Sequence, residues 1–123
     1  MARRKRGKRR SPLEECYGRW RVDYQPLLDI IRRQWPAAVE RVSSKLRELE
    51  ESLNSERDAA RRLLREPVVA ETSLGPVRRY RVSTPAGWLR LLFFVDIDSC
   101  TVVFTDVELR DEETYRRFRR RLG

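Results

Sequence analysis

Eight consecutive residues, WLRLLFFV at 88–95, carry a single polar side chain, Arg90. A run this apolar, rich in aromatic residues and too short for an ordinary helix, is expected to be a strand near the centre of a sheet, covered on both faces or nearly so. The flanking residues agree with that expectation. Val77 to Ser83 reads as a strand, Thr84-Pro85-Ala86-Gly87 as a tight turn, Asp96 to Ser99 as another turn, and Cys100 to Leu109 as a further strand. The stretch from Tyr80 to Tyr115 therefore organises the chain, and the remainder must supply a layer to cover it.

That layer is legible upstream. Arg19 to Tyr24 alternates polar and apolar residues, the period of a strand whose buried side holds Trp20, Val22 and Tyr24. Pro26 suits a first helical turn, and Leu27, Leu28, Ile30, Ile31 and Trp35 follow at helical spacing until Pro36. From there Val39, Val42, Leu46, Leu49 and Leu53 form a 3-4-3-4 stripe. Such a stripe suits a coiled-coil partner or the chain's own sheet, and its short length favours the sheet. Asn54-Ser55 breaks the pattern, and Ser55 with Asp58 has the form of a capping box for a short helix carrying Ala59, Leu63 and Leu64, ended by Pro67. Asp111 is placed to cap a last helix, with Glu112 and Glu113 in its first turn and arginines towards its end.

The expected fold is α+β. An N-terminal strand and a helical hairpin are followed by a three-stranded antiparallel meander that completes a four-stranded sheet, and then by a C-terminal helix. At 123 residues there is room for one such domain, expected over 13–123 behind a basic arm at 1–12. That arm has almost no apolar content and should not order by itself.

Charge is concentrated at the two ends. The chain has a net charge of +9, yet seven basic residues lie within 1–10 and five within 116–121, so the remainder is net acidic. Arginine supplies 25 of the 28 basic side chains. Its planar fork matches phosphate and stacks on bases, which suits a polyanionic partner better than mere solubility would require. The candidate RNA contacts are Arg3, Arg4, Lys5, Arg6, Lys8, Arg9 and Arg10 in the arm, Arg116, Arg117 and Arg120 near the end, and Arg78 and Arg79 around Tyr80. Arginines interleaved with an aromatic ring suit single-stranded or structured RNA, and the same arrangement also suits a charged edge strand.

Several chemistries are excluded. There is no histidine, so imidazole acid–base catalysis and histidine-based triads or metal sites are out. Cys16 and Cys100 match no metal-ligand spacing, and no metal or other cofactor is expected. Asp96 and Asp98 read as turn residues, and Glu48, Glu50, Glu51 and Glu56 as a solvated helix face. No apolar run reaches the ~20 residues of a membrane span, and the basic start leads into SPLEEC rather than a hydrophobic core, so a cytoplasmic protein with no membrane partner is expected. Few amides and 38% charged residues suit a thermophile, in which an intracellular disulfide is admissible.

The order of elements, together with GWLRLLFFVDIDSCTVVF at 87–104, resembles the RelE/ParE superfamily of toxins over about residues 19–122. The resemblance implies that Arg90, Arg110 and Tyr115 stand where RelE-like proteins line an mRNA-cutting site. On the preceding strand, Arg81 and Ser83 stand where the family carries lysines. Arginine stays protonated and is a poor general base, although it still stabilises phosphate charge. Three readings stay open. One is a ribosome-dependent mRNA endonuclease that needs no metal, using Arg90, Arg110, Tyr115 and Arg81. Another is a non-catalytic structural or dormancy factor bound to ribosomal RNA. The third is a ParE-like gyrase toxin or a module that binds a partner through the Val39 to Leu53 stripe. The toxin readings imply a small antitoxin chain.

Overall fold

A computed structural model describes residues 11–109. The expected C-terminal helix behind Asp111 and most of the N-terminal arm lie outside that range. The arm does not extend to Pro12 as expected. Ser11 caps helix α1 (Pro12–Glu15), its hydroxyl accepting from the Glu14 N–H at 3.3 Å.

The chain continues through β1 (Arg21–Asp23), α2 (Gln25–Gln34), a 3-10 turn at Pro36–Ala38, α3 (Val39–Ser55), α4 (Ala59–Leu63), β2 (Val68–Thr72), β3 (Gly75–Thr84), β4 (Gly87–Asp96) and β5 (Thr101–Leu109). The fold is α+β with a five-stranded mixed sheet in the order β1-β5-β4-β3-β2. The β2 to β5 strands form an antiparallel meander, and β1 joins β5 in parallel, Val22 opposite Val102. The sheet therefore has one strand more than expected. The addition, β2, is exposed at all five residues, so it has no buried side and leaves no periodicity to read.

Helices lie on one face. The α3 stripe is buried at Val42, Leu46, Leu49 and Leu53, where it meets β1 and β3, while α2 covers β5. This burial removes the stripe as a surface for a partner. Under the helices Tyr80, Phe93 and Phe104 form an aromatic cluster with ring centroids 5.2 to 6.5 Å apart, each contact worth roughly 0.5–1.5 kcal/mol beyond its area. Only half of the central strand is covered in this way. Leu89, Leu91 and Phe93 are fully buried, whereas Arg90, Leu92 and Phe94 are half-buried and Trp88 is exposed. Among the described residues no helix lies over that second face, so the expectation of a strand covered on both sides is corrected. It is called the open face below.

Register in β5 shifts once. Leu92 opposes Asp106 but Phe93 opposes Phe104, so Thr105 is an extra residue. The bulge lets Val102, Phe104 and Val107 all point into the core although their spacing changes from even to odd.

The α3 helix ends at Ser55, where the apolar pattern stops, and Asn54 has a further role: its side chain accepts from the Trp20 N–H at 2.7 Å and donates to the Trp20 carbonyl at 2.9 Å. Glu50 is not merely solvated, since it accepts from the Val22 N–H at 2.8 Å. The exposed edge of β1 thus finds its partners on a helix instead of a sixth strand. Ser55 forms no capping box either. It is the last residue of α3 and donates to the Glu51 carbonyl at 2.7 Å, and Asp58 precedes α4 without a side-chain cap bond.

The two β-hairpins that join β2 to β3 and β3 to β4 use one device. Thr72 and Thr84 each accept from the N–H two residues on and donate to the carbonyl of a glycine, Gly75 and Gly87, held at positive φ. The β4–β5 turn is closed differently. Cys100 adopts φ 52° and is disulfide-bonded to Cys16, and its carbonyl accepts from the Arg21 N–H at 2.9 Å. Both cysteines are buried, at 1% and 5% exposure, which keeps reductants away from the bond.

The cross-link spans a sequence separation of 84, for which the chain-entropy account gives about 4.5 kcal/mol, with measured values generally lower. Replacing both cysteines by serine should therefore cost roughly 2–4 kcal/mol. Equilibrium denaturation of the double variant, beside wild type with and without reductant, measures the loss. An unchanged midpoint would mean that the cross-link does not hold the fold.

Candidate functional site on the open face of the sheet

The alternation of β3 and β4 decides which side chains meet. Val82 and Tyr80 face the helices, so Arg79, Arg81 and Ser83 face the other way. On β4 the same logic puts Trp88, Arg90, Leu92 and Phe94 on the open face. Register then places Arg81 directly opposite Arg90, Arg79 opposite Leu92, and Ser83 opposite Trp88. On the other flank Glu108 of β5 opposes Arg90, and Asp106 opposes Leu92. One row across three strands therefore reads Arg81, Arg90, Glu108.

Arg81 and Arg90 put like charges on paired positions, an arrangement that is destabilising in a sheet unless an anion lies between them. Arg90 is also incompletely satisfied. Its Nε is inaccessible to solvent and has no hydrogen-bond partner among the described residues, and no ion pair joins it to Glu108 or Asp106 there. A buried unpaired donor costs about 1–3 kcal/mol.

The sequence candidates separate in space. Arg79, Arg81 and Arg90 share the open face, but Arg78 does not: it lies on the helix side of β3, where its Nη1 donates to the Glu66 carbonyl at 2.8 Å. Arg110 and Tyr115 lie outside the described residues, as do Arg3, Arg4, Lys5, Arg6, Lys8, Arg9, Arg10, Arg116, Arg117 and Arg120. Sequence reading missed two members of the face. Trp88 read as one more apolar residue of a buried strand, although strand alternation counted back from Arg90 would have found it; Glu108, on another strand, is placed only by the β4–β5 register.

Chemically, the row can neutralise phosphate through two guanidinium groups and offers one carboxylate able to accept a proton. Among the described residues there is no cluster of three or more histidine, cysteine, aspartate or glutamate side chains able to hold a metal, and no helix long and apolar enough to cross a membrane.

A second concavity, about 390 Å³, opens on the helix side between α3, α4 and β3. Its cations are already engaged, Lys45 by Glu48 at 3.7 Å and Arg62 by Glu56 and Asp58, so it has little to offer a polyanion. Tyr80 lines it. Burial raises the Tyr80 hydroxyl above its ordinary pKa, and the carboxylates of Glu66 and Glu48 push the same way. The hydroxyl is therefore kept protonated, poor material for a base.

Searches of protein families, curated proteins and solved structures found no match to this chain.

The Tyr80 shift has a signed consequence. In the unfolded chain the phenol ionises near its ordinary ~10, while the folded form resists ionisation, so its contribution is present below that pH and is lost as pH rises above it. Melting curves taken between about pH 9 and about pH 11 should fall more steeply for wild type than for Tyr80→Phe. Parallel curves would show that the hydroxyl is not shielded.

Proposed function

We propose that this protein binds RNA through the open face of a RelE-like sheet and works on the cytoplasmic ribosome. The observation that carries the reading is the juxtaposition of Arg81 and Arg90, with Arg79 beside them, on a face that no described helix covers. Like charges placed together make a surface that is improved by binding an anion. The basic blocks at the chain ends supply long-range attraction of the same sign, which raises both the encounter rate and the salt dependence.

A second reading on the same face is ribosome-dependent mRNA cleavage, and Glu108 favours it. Its position opposite Arg90 sets a proton acceptor beside a phosphate-binding guanidinium, the pair of roles that 2′-hydroxyl attack requires. Against it stand Arg81 and Ser83, which replace the lysines of RelE-like proteins. The non-catalytic reading, a structural or dormancy factor on ribosomal RNA, uses the arginines without Glu108.

Ribosome binding measured across a salt series tests the shared claim. Arg81→Ala and Arg90→Ala should each weaken binding and lower the slope of log K against log salt by about 0.7 if each meets one phosphate of a single strand. Removing residues 1–10 should lower affinity and slope further. Affinity unaffected by all three changes would overturn the proposal. With purified ribosomes and mRNA, cleavage abolished by Arg90→Ala and slowed by Glu108→Gln would establish the nuclease, whereas intact message under tight binding assigns the non-catalytic role.

A further inference from the structure

We infer that Trp88 is a stacking platform for an unpaired RNA base, so that the open face selects single strands rather than phosphate in general. This rests on the RNA-binding reading above and adds the class of RNA and the residue that recognises it.

Among the described residues four large apolar side chains are exposed, and three of them, Val68, Val69 and Leu74, belong to β2 or the turn after it. Trp88 is the fourth, at 52% exposure, and it alone stands among the arginines of the open face. Its backbone is rigid, because it follows Gly87 in the turn that Thr84 ties down with two hydrogen bonds. The residue across from it is Ser83, too small to cover an indole. Nor does a guanidinium lie on its ring among the described residues, whereas the Tyr17 ring is covered by Arg57 at 4.7 Å. Half of the indole is therefore open to solvent and offers a ring face on which a base can stack.

Spacing completes the argument. Arg90 lies two residues along the same strand face, about 7 Å away, and Arg81 sits across from it. A nucleotide spans that interval between its base and its phosphate. A base laid on Trp88 therefore directs its phosphate towards the Arg81–Arg90 pair. Bases paired within a duplex cannot present a face to the indole without leaving the stack, so the arrangement discriminates against double-stranded RNA.

The test compares a short oligoadenylate, the same sequence in a duplex, and heparin, a polyanion without bases. Wild type should bind the single strand more tightly than the duplex, with quenching of indole emission that Trp88→Phe removes. Trp88→Ala should weaken oligoadenylate binding roughly 5- to 100-fold, leave heparin binding unaltered, and melt as wild type does; Trp88→Phe should retain part of the affinity. Equal losses towards oligoadenylate and heparin would overturn the inference by showing a merely structural effect. Oligoadenylate affinity unchanged in Trp88→Ala but lowered in Arg90→Ala would also overturn it while leaving the RNA-binding reading standing. If wild type binds no RNA, both fall together.

Discussion

The fold depends on the division of β4 into two unlike sides. Leu89, Leu91 and Phe93 are excluded from water beneath the helices, and burying three such side chains contributes roughly 1.5–3 kcal/mol each before entropy is counted. The tyrosine of β3 and the phenylalanine of β5 pack directly on this row, and the α3 stripe closes it from above. Because strand side chains alternate, fixing this side fixes the other. Arg90 is held where it is by the leucines on either side of it, which have nowhere else to go. A functional group positioned in this way borrows the rigidity of the core without entering it.

The sheet's two edges are treated in opposite ways. At β1 the backbone is satisfied by Asn54 and Glu50, side chains that reach across from α3, and the edge is thereby closed to another strand. At β2 the edge is short and preceded by Pro67, features that limit further pairing. The protein thus presents one blocked edge, one short edge and one open face that carries Arg79, Arg81 and Arg90 beside Asp106 and Glu108.

Much of this was legible in the sequence, and the failures have physical causes. The β3, β4 and β5 strands, the α2 helix and the α3 stripe were readable because each has a buried side that imposes its period on the residues. The β2 strand has no such side, and VVAET carries no alternation that separates it from a loop. The end of α3 at Asn54-Ser55 was legible as a break in the apolar pattern, but the hydrogen bonds of Asn54 to Trp20 were not, because they join residues 34 apart in sequence. The continuously apolar β4 suggested burial on both sides, a rule suited to parallel sheets that an antiparallel strand need not obey. For the site, Arg81 and Arg90 were named from their residue type and position, but which side each faces depends on register. That is why Arg78, adjacent to the open-face Arg79, proved to belong to the interior side, and why the exposure of Trp88 was missed. The Cys16–Cys100 bond was admissible from the sequence without being implied by it, since separation along the chain says nothing about proximity.

The parallel seating of β1 against β5 also sets a timetable. A ribosome releases the chain from its N-terminus, so Arg21–Asp23 emerges long before Thr101–Val103, the strand segment it pairs with. The helices α2 and α3 follow, with their apolar sides unprotected until the meander beneath them has been made. Sheet closure and the Cys16–Cys100 bond both await residues 100–109, which follow the helices in the chain. Contacts so distant in sequence slow folding through the entropy of closing the loop between them. The unfinished chain accordingly passes through a stage in which chaperone-like shielding, or a short wait at low concentration, decides between assembly and aggregation.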